Sequence, residues 1–166
     1  MGTRPFPNGE RMKGFDYYIF IDYSEKLIGY LIIDDKNIPK LIPKISKFAH
    51  YKNLKHKSLY IKSIKKRIKK ENILSLILKT KIRKIIGNLE IYSDVLDFLK
   101  KHDNCLIFVS IDNHEYQNFR KMVNIVDGEK IVVKKESELK KESMEYQLSL
   151  VLDTLLNIKR LSLKNG

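Results

Sequence analysis

Three aspartates stand where carboxylate chemistry can be built. Asp22 ends a β-rich run over residues 17–21, Asp112 ends a continuous apolar run over 105–111, and Asp153 lies inside the nearly all-apolar stretch 150–156. If the two runs are neighbouring strands of one sheet, Asp22 and Asp112 emerge side by side, their backbones about 5 Å apart. Ligands of open sheets with crossover helices gather outside the strand ends, where these side chains would lie. Clustered carboxylates repel one another at neutral pH and persist when protons or a divalent cation neutralise them. Their hard oxygens select Mg²⁺ or Mn²⁺ over softer metals. Two such ions about 4 Å apart activate water and stabilise the leaving oxygen of a phosphodiester. Asp22, Asp112 and Asp153 are therefore the candidate catalytic and metal-binding residues. Each also has a plainer role open to it. A strand-end Asp forms turns by bonding the next backbone amides, and Asp112 with Asn113 can cap a following helix. Asp153 shares one helical stripe with Tyr146, Ser149, Asn157 and Arg160, and an ordinary solvent-facing stripe would explain it without chemistry.

The charge balance points the same way. Lys and Arg number 33 against 20 Asp and Glu, a net charge of +13. A field of that sign concentrates polyanions, nucleic acid first and an anionic membrane surface second. Lys62, Lys65, Lys66, Arg67, Lys69 and Lys70 crowd into nine residues, and Lys79, Lys81, Arg83 and Lys84 follow. The six of the first cluster, with Lys81, Arg83 and Lys84, are the candidate nucleic-acid-binding residues, and phosphate contact by them would weaken steeply with salt. His50, Tyr51, His56 and Tyr60 lie just upstream, where rings can stack on unpaired bases. Against this stands the solvated helix face that charge runs usually form. The skew toward Ile and Lys, with Ala49 the single alanine, also fits an AT-rich coding bias or a thermophilic host. A membrane-surface helix is disfavoured because its apolar face lacks Trp and Phe anchors.

Other chemistries lack their residues. One cysteine, Cys105, excludes an intramolecular disulfide and a multi-cysteine zinc site, and its place in an apolar run makes it a core residue. The reducing cytoplasm is the expected compartment. No apolar stretch approaches the ~20 residues of a membrane span, and residues 1–9 show no apolar leader core. Gly-x-x-x-x-Gly-Lys-Ser/Thr, Gly-x-Gly-x-x-Gly and Gly-x-Ser-x-Gly are absent, and His50, His56, His102 and His114 are not at paired ligand spacing.

The elements that must position these residues follow from periodicity. Residues 1–14, with two prolines and three glycines, are expected to form a tail, and 15–166 a single domain. Strands are expected over 17–21 and 26–33, joined by so short a turn that only an antiparallel hairpin is allowed. Pro39 and Pro43 break the chain, with a short helix or strand over 41–48. Residues 57–61 are expected to form a third strand. Apolar residues at three- and four-residue steps predict a helix from Ile64 to Ile86, with Glu71-Asn72 as a candidate break in it and Gly87 as its stop. A helix over 91–102, a doubly buried strand over 105–111, a helix over 115–124, a strand over 130–134 and a long helix over 138–163 complete the series. Strand–helix alternation in the second half predicts a parallel portion beside the antiparallel hairpin, hence a mixed α/β sheet with helices on both faces.

An acid ending the first strand, another on the fourth and a late one on the C-terminal helix resemble the layout of the ribonuclease H-like fold. More narrowly, the chain is similar to an uncharacterised branch of that superfamily, over about residues 16–163. Members of that branch open with a strand leading into Asp-Glu-Ser-Gly and close with a helix containing Gln-Leu-Ala-Asp-Leu. Here the first motif reads Phe20-Ile21-Asp22-Tyr23-Ser24, with Tyr23 for the Glu and Glu25 for the Gly. The second reads Tyr146-Gln147-Leu148-Ser149-Leu150-Val151-Leu152-Asp153, with a longer Gln-to-Asp spacing. The branch often carries an acid before a Lys near the third strand, and Tyr60-Ile61-Lys62-Ser63 has none. Glu71, Glu90 and Asp94 are candidates for a fourth carboxylate. The resemblance implies a Mg²⁺- or Mn²⁺-dependent nuclease acting on DNA or RNA, or a relative that kept the fold as a non-catalytic nucleic-acid-binding module. A structural protein whose charge reflects genome composition is the third reading. No membrane partner is expected, and a dimer stays open.

Overall fold

Alternation of side chains across extended backbone builds a sheet with two buried faces. The structure, a computed structural model, describes residues 14–110, 113–127 and 131–165. Strands β1 (Tyr17–Ser24) and β2 (Leu27–Asp34) form the expected antiparallel hairpin, in register from Tyr17 opposite Asp34 to Ser24 opposite Leu27. On its other side β1 pairs in parallel with β4 (Cys105–Val109), which pairs in parallel with β5 (Ile131–Lys135). Strand β3 (Lys79–Lys84) runs antiparallel along β2 and completes the order β3-β2-β1-β4-β5. The mixed sheet and its parallel half are as the strand–helix alternation predicted.

Helices cover both faces. On one, Tyr18, Phe20, Leu31, Leu106 and Phe108 pack against α1 (Ile38–Leu41), α2 (Lys57–Lys70) and α5 (Met144–Asn165). On the other, Ile19, Ile21, Tyr30, Ile32 and Ile107 pack against α3 (Asn88–Lys101) and α4 (Asn113–Asp127). All five residues of β4 are buried, as a strand covered on both faces requires. Cys105 is fully buried, and burial pushes its thiol up to about 12, so it is an inert core group. Among the described residues no helix is long and apolar enough to cross a membrane.

Two expectations are corrected. Residues 57–61 are not a strand but the opening turns of α2, whose buried row Ile61, Ile64 and Ile68 begins there. The helix expected through Ile86 ends at Lys70. Asn72 turns left-handed at φ 53°, a 3-10 turn covers Ile73–Leu76, and β3 follows. Ile82 lies against the core on one face while its neighbours Lys81 and Arg83 reach Glu90 of α3 on the other, a pattern of period two rather than 3.6. Open backbone carbonyls along the outer edge of the hairpin decide the outcome: Leu78 N–H donates to the Ile32 carbonyl at 2.9 Å and Ile85 N–H to that of Lys26 at 2.7 Å. The short 41–48 segment resolves into the end of α1 and a 3-10 turn over Ile42–Ile45.

At Gly29 β2 lies close to both β3 and α5. A Cβ there would lie 3.0 Å from the Lys81 carbonyl oxygen, 3.0 Å from Ile82 Cγ1 and 3.3 Å from Leu156 Cδ2. The Lys81 backbone cannot withdraw without opening the β2–β3 ladder. Gly29→Val is therefore expected to destabilise the fold by about 1–3 kcal/mol, read as a lower urea midpoint at unchanged m-value. An unchanged midpoint would show that β3 and α5 are not held this tightly.

Candidate functional site

The pleat of β1 carries the chemistry to its place. Tyr18 and Phe20 point to the α5 side, and Asp22 is next in that row. It sits inside β1, opposite Gly29, rather than at the strand end that the sequence predicted. On β4 the matching row is Leu106 and Phe108, with Ser110 next; Ser110 N–H extends the ladder by donating to the Ile21 carbonyl at 2.8 Å. Asp112 lies outside the described residues.

Asp153 meets this row from above. The polar stripe of α5 does not face solvent: Ser149, Asp153 and Asn157 are 7%, 8% and 5% exposed. The stripe turns onto the sheet, so the plain explanation for Asp153 fails. Its Oδ2 accepts a hydrogen bond from Tyr51 N–H at 3.0 Å, and His50 Nε2 stands 4.0 Å from its Oδ1. The chain over 45–51 is itself fastened to α5 by Gln147, whose amide donates to the Ile45 carbonyl at 2.6 Å. Among the described residues none bonds His50 Nδ1, which is buried.

Asp22, Asp153 and Glu136 open into one cavity of about 600 Å³, with His50, Ser110 and Arg160. A wider space of about 730 Å³ adjoins it and shares Tyr23, His50, Ser110 and Glu136. Burial pushes the Asp22 carboxyl from its ordinary 3.8 to about 8, and the nearby charges of Glu136 and Asp153 add to the rise. Bonds from Tyr23 N–H, at 2.8 Å, and from Ser110 oppose it. Opposite Asp153, Arg160 is held by Glu25 at 2.9 Å and by Asn157 at 2.9 Å. Its guanidinium and Lys57 Nζ lie 5.4 and 5.6 Å from the centre of the Tyr51 ring.

Glu136 was not foreseen. It is the first residue after β5, and the parity that aims Asp22 at α5 also applies there. An acid directly after the last strand was the available signal. The three acids considered for a fourth carboxylate lie elsewhere. Glu71 caps the C-terminus of α2. Glu90 and Asp94 are on α3, tied to Lys81 at 2.9 and 2.6 Å, with Arg83 3.0 Å from Glu90 and Tyr30 Oη donating to Asp94 at 2.8 Å.

The basic candidates separate into two groups. Lys62, Lys65, Lys66, Arg67, Lys69 and Lys70 line the outer side of α2, while Lys81, Arg83 and Lys84 lie on edge strand β3. Lys81 and Arg83 are paired with acids, so that edge presents less net charge than its sequence promised. Two of the upstream rings are held in place: Tyr51 is buried, and Tyr60 Oη is bonded to Ala49 N–H at 2.9 Å and to Thr154 Oγ1 at 3.0 Å, while His56 is exposed.

The donors of this cavity are carboxylate and hydroxyl oxygens with one imidazole. Among the described residues no group of three or more His, Cys, Asp and Glu side chains is gathered closely enough to hold a metal ion. Mg²⁺ does not need such a cage, since one or two carboxylates with water and substrate phosphate suffice. Asp22 and Asp153 are two hard-oxygen donors lining one cavity. Donor type therefore fits Mg²⁺ or Mn²⁺.

No protein-family model matches the chain, and no curated protein matches it. Among solved structures, the ribonuclease H2 from Pyrococcus horikoshii OT3 is similar with a TM-score of 0.53 at 13% identity, over 87% of this chain and 72% of that one. The ribonuclease HII structure of a complex with PCNA from Archaeoglobus fulgidus aligns with a TM-score of 0.47 at 12% identity, over 90% of this chain and 73% of that one. The first likeness shows the fold: an α/β, ribonuclease H-like mixed sheet with helices on both faces.

The raised carboxyl sets a pH dependence. Between about pH 4 and 8 the folded protein holds a proton on Asp22 that the unfolded chain releases, so stability falls as pH rises through that window. Without divalent cations the melting temperature should drop from pH 5 to pH 8. Asp22→Asn should flatten the drop and raise Tm at pH 8 by at least ~1 kcal/mol, about 2–4 °C. Mn²⁺ at pH 8 should raise Tm of the parent protein and not of the variant. A variant with the parent's pH slope would place the titrating group elsewhere.

Proposed function

We propose that this protein is a divalent-metal-dependent nuclease that hydrolyses phosphodiester bonds of DNA or RNA. The observation that carries the reading is the convergence of Asp22 and Asp153, remote in sequence, in one cavity with Glu136, where the Asp22 carboxyl is pushed up to about 8. A chain of net charge +13 has no electrostatic shortage of cations on its surface, yet here it gathers acids under a helix. The likeness to a ribonuclease H2 structure and the short motifs around Asp22 and Asp153 support the same reading, including its narrower form, the branch with Asp-Glu-Ser-Gly and Gln-Leu-Ala-Asp motifs.

Asp22 and Asp153, joined by Asp112, would hold Mg²⁺ or Mn²⁺. Bound there, the cation supplies charge that lowers the pKa of water and polarises a phosphoryl oxygen. The chain's own residues do the rest. Tyr51 N–H fixes the Asp153 carboxylate, and Tyr23 N–H with Ser110 fixes that of Asp22. Glu136 adds negative charge beside Asp22 and raises its demand for a cation. α2 draws the phosphate backbone toward the cavity.

A second reading, a nucleic-acid-binding module without catalysis, is favoured by two specific observations: Tyr23 stands where the branch has an acid, and no three described side chains form a metal cage. Labelled DNA, RNA and hybrid substrates in Mn²⁺ separate the two. Asp22→Asn, Asp112→Asn and Asp153→Asn are each expected to cut the cleavage rate by more than ~100-fold, and Glu136→Gln by about tenfold. Full activity in Asp112→Asn removes that residue from the site. Salt-sensitive binding that ignores EDTA, without cleavage by the parent protein, would falsify the nuclease and leave the module.

A further inference from the structure

A second surface cavity, of about 600 Å³, runs between α2 and α5 and meets the carboxylate cavity at Tyr51 and Lys57, which line both. Its lining is divided by chemistry. Ile61, Ile158 and Leu161 form an apolar, largely buried floor, and Lys62 and Lys65 are exposed beside it, with Lys57 half-buried at the junction. No acid lines it. α2 carries seven Lys and Arg and no Asp or Glu over Lys57–Lys70, and neither Lys62 nor Lys65 forms an ion pair with a described residue.

A double helix hides its base faces and offers such a groove only phosphates, leaving the apolar floor wetted and unused. An unpaired strand presents both parts at once: phosphates to the lysine side and base faces to the aliphatic floor. We propose that the α2–α5 groove is a track for a single-stranded polynucleotide, delivering it past Tyr51 and Lys57 to the carboxylates. The track deepens the nuclease reading and rests on it for the destination of the strand, while its binding is measurable without cleavage.

The test is fluorescence anisotropy with a labelled 20-nucleotide oligothymidine and a 20-base-pair duplex, in EDTA, across a salt series. The single strand is expected to bind about tenfold more tightly than the duplex. Lys62→Ala with Lys65→Ala should weaken oligothymidine binding about tenfold and reduce the salt slope by about 1.4, at roughly 0.7 per phosphate on a single strand. Leu161→Ser should weaken it severalfold with the slope unchanged, and the doubly substituted variant, altered only at exposed positions, controls for loss of fold. Duplex or heparin binding as tight as oligothymidine, or an unaltered slope in the lysine variant, overturns the track. If the track behaves as described and Mn²⁺ elicits no cleavage, the nuclease reading fails and the track stands.

Discussion

The arrangement depends on one constraint: in a strand buried on both faces, every second residue is committed to the same cover. Tyr18 and Phe20 are held beneath α5 by packing, and Phe20 stacks on Phe108 with ring centres 5.7 Å apart. Asp22 inherits that direction whatever its charge. α5 in turn cannot rotate away, because Leu148, Val151, Leu152 and Leu156 are buried in the same core, and so Asp153 is aimed back at the sheet. Two like charges are brought together by apolar packing that neither of them favours. The cost appears where it should, as a carboxyl that resists ionisation. Local donors offset part of it, but among the described residues no cationic side chain pairs with Asp22.

Much of this was legible in the sequence because it followed from strong periodicity. The β1–β2 hairpin, β4, α3 and α5 each announced themselves by uninterrupted apolar runs or an unbroken 3.6 period. Asp22 and Asp153 were legible as acids at the ends or in the midst of those runs. Which way the stripe of Ser149, Asp153 and Asn157 turns was not legible. A polar stripe has the same period whether it meets water or a sheet, and only the tertiary packing distinguishes them. β3 was obscured for a related reason. Ile77, Leu78, Ile82 and Ile85 fall at three- and four-residue steps by coincidence, and edge strands are lysine-rich because charge protects an open edge from further pairing. Glu136 escaped notice because its role comes from a crossover: α4 places β5 beside β4, and sequence distance hides that adjacency.

The basic residues tell a similar story about context. Clusters that look alike in sequence behave differently once folded. Lys81 and Arg83 are engaged by Glu90 and Asp94 from α3, an arrangement that ties the edge strand to the face beneath it. On α2 no acid lies within the helix to do this, so its field reaches solvent. The net charge of the chain is thus less informative than where it goes unpaired, and the unpaired part flanks the cavity.

That juxtaposition bears on the choice between catalysis and simple binding. A module that only holds phosphate gains nothing from Asp22 and Asp153: they repel the ligand, and burying them destabilises the fold. Neutral residues of similar shape would serve it better on both counts. Carboxylates kept at the mouth of a basic groove, against electrostatic and desolvation penalties, make physical sense where a third, positively charged species is to be held between them and the phosphate. Buried carboxylates gathered in one cavity, in a core otherwise packed mainly by apolar side chains, mark it as the part of the fold shaped by something other than stability.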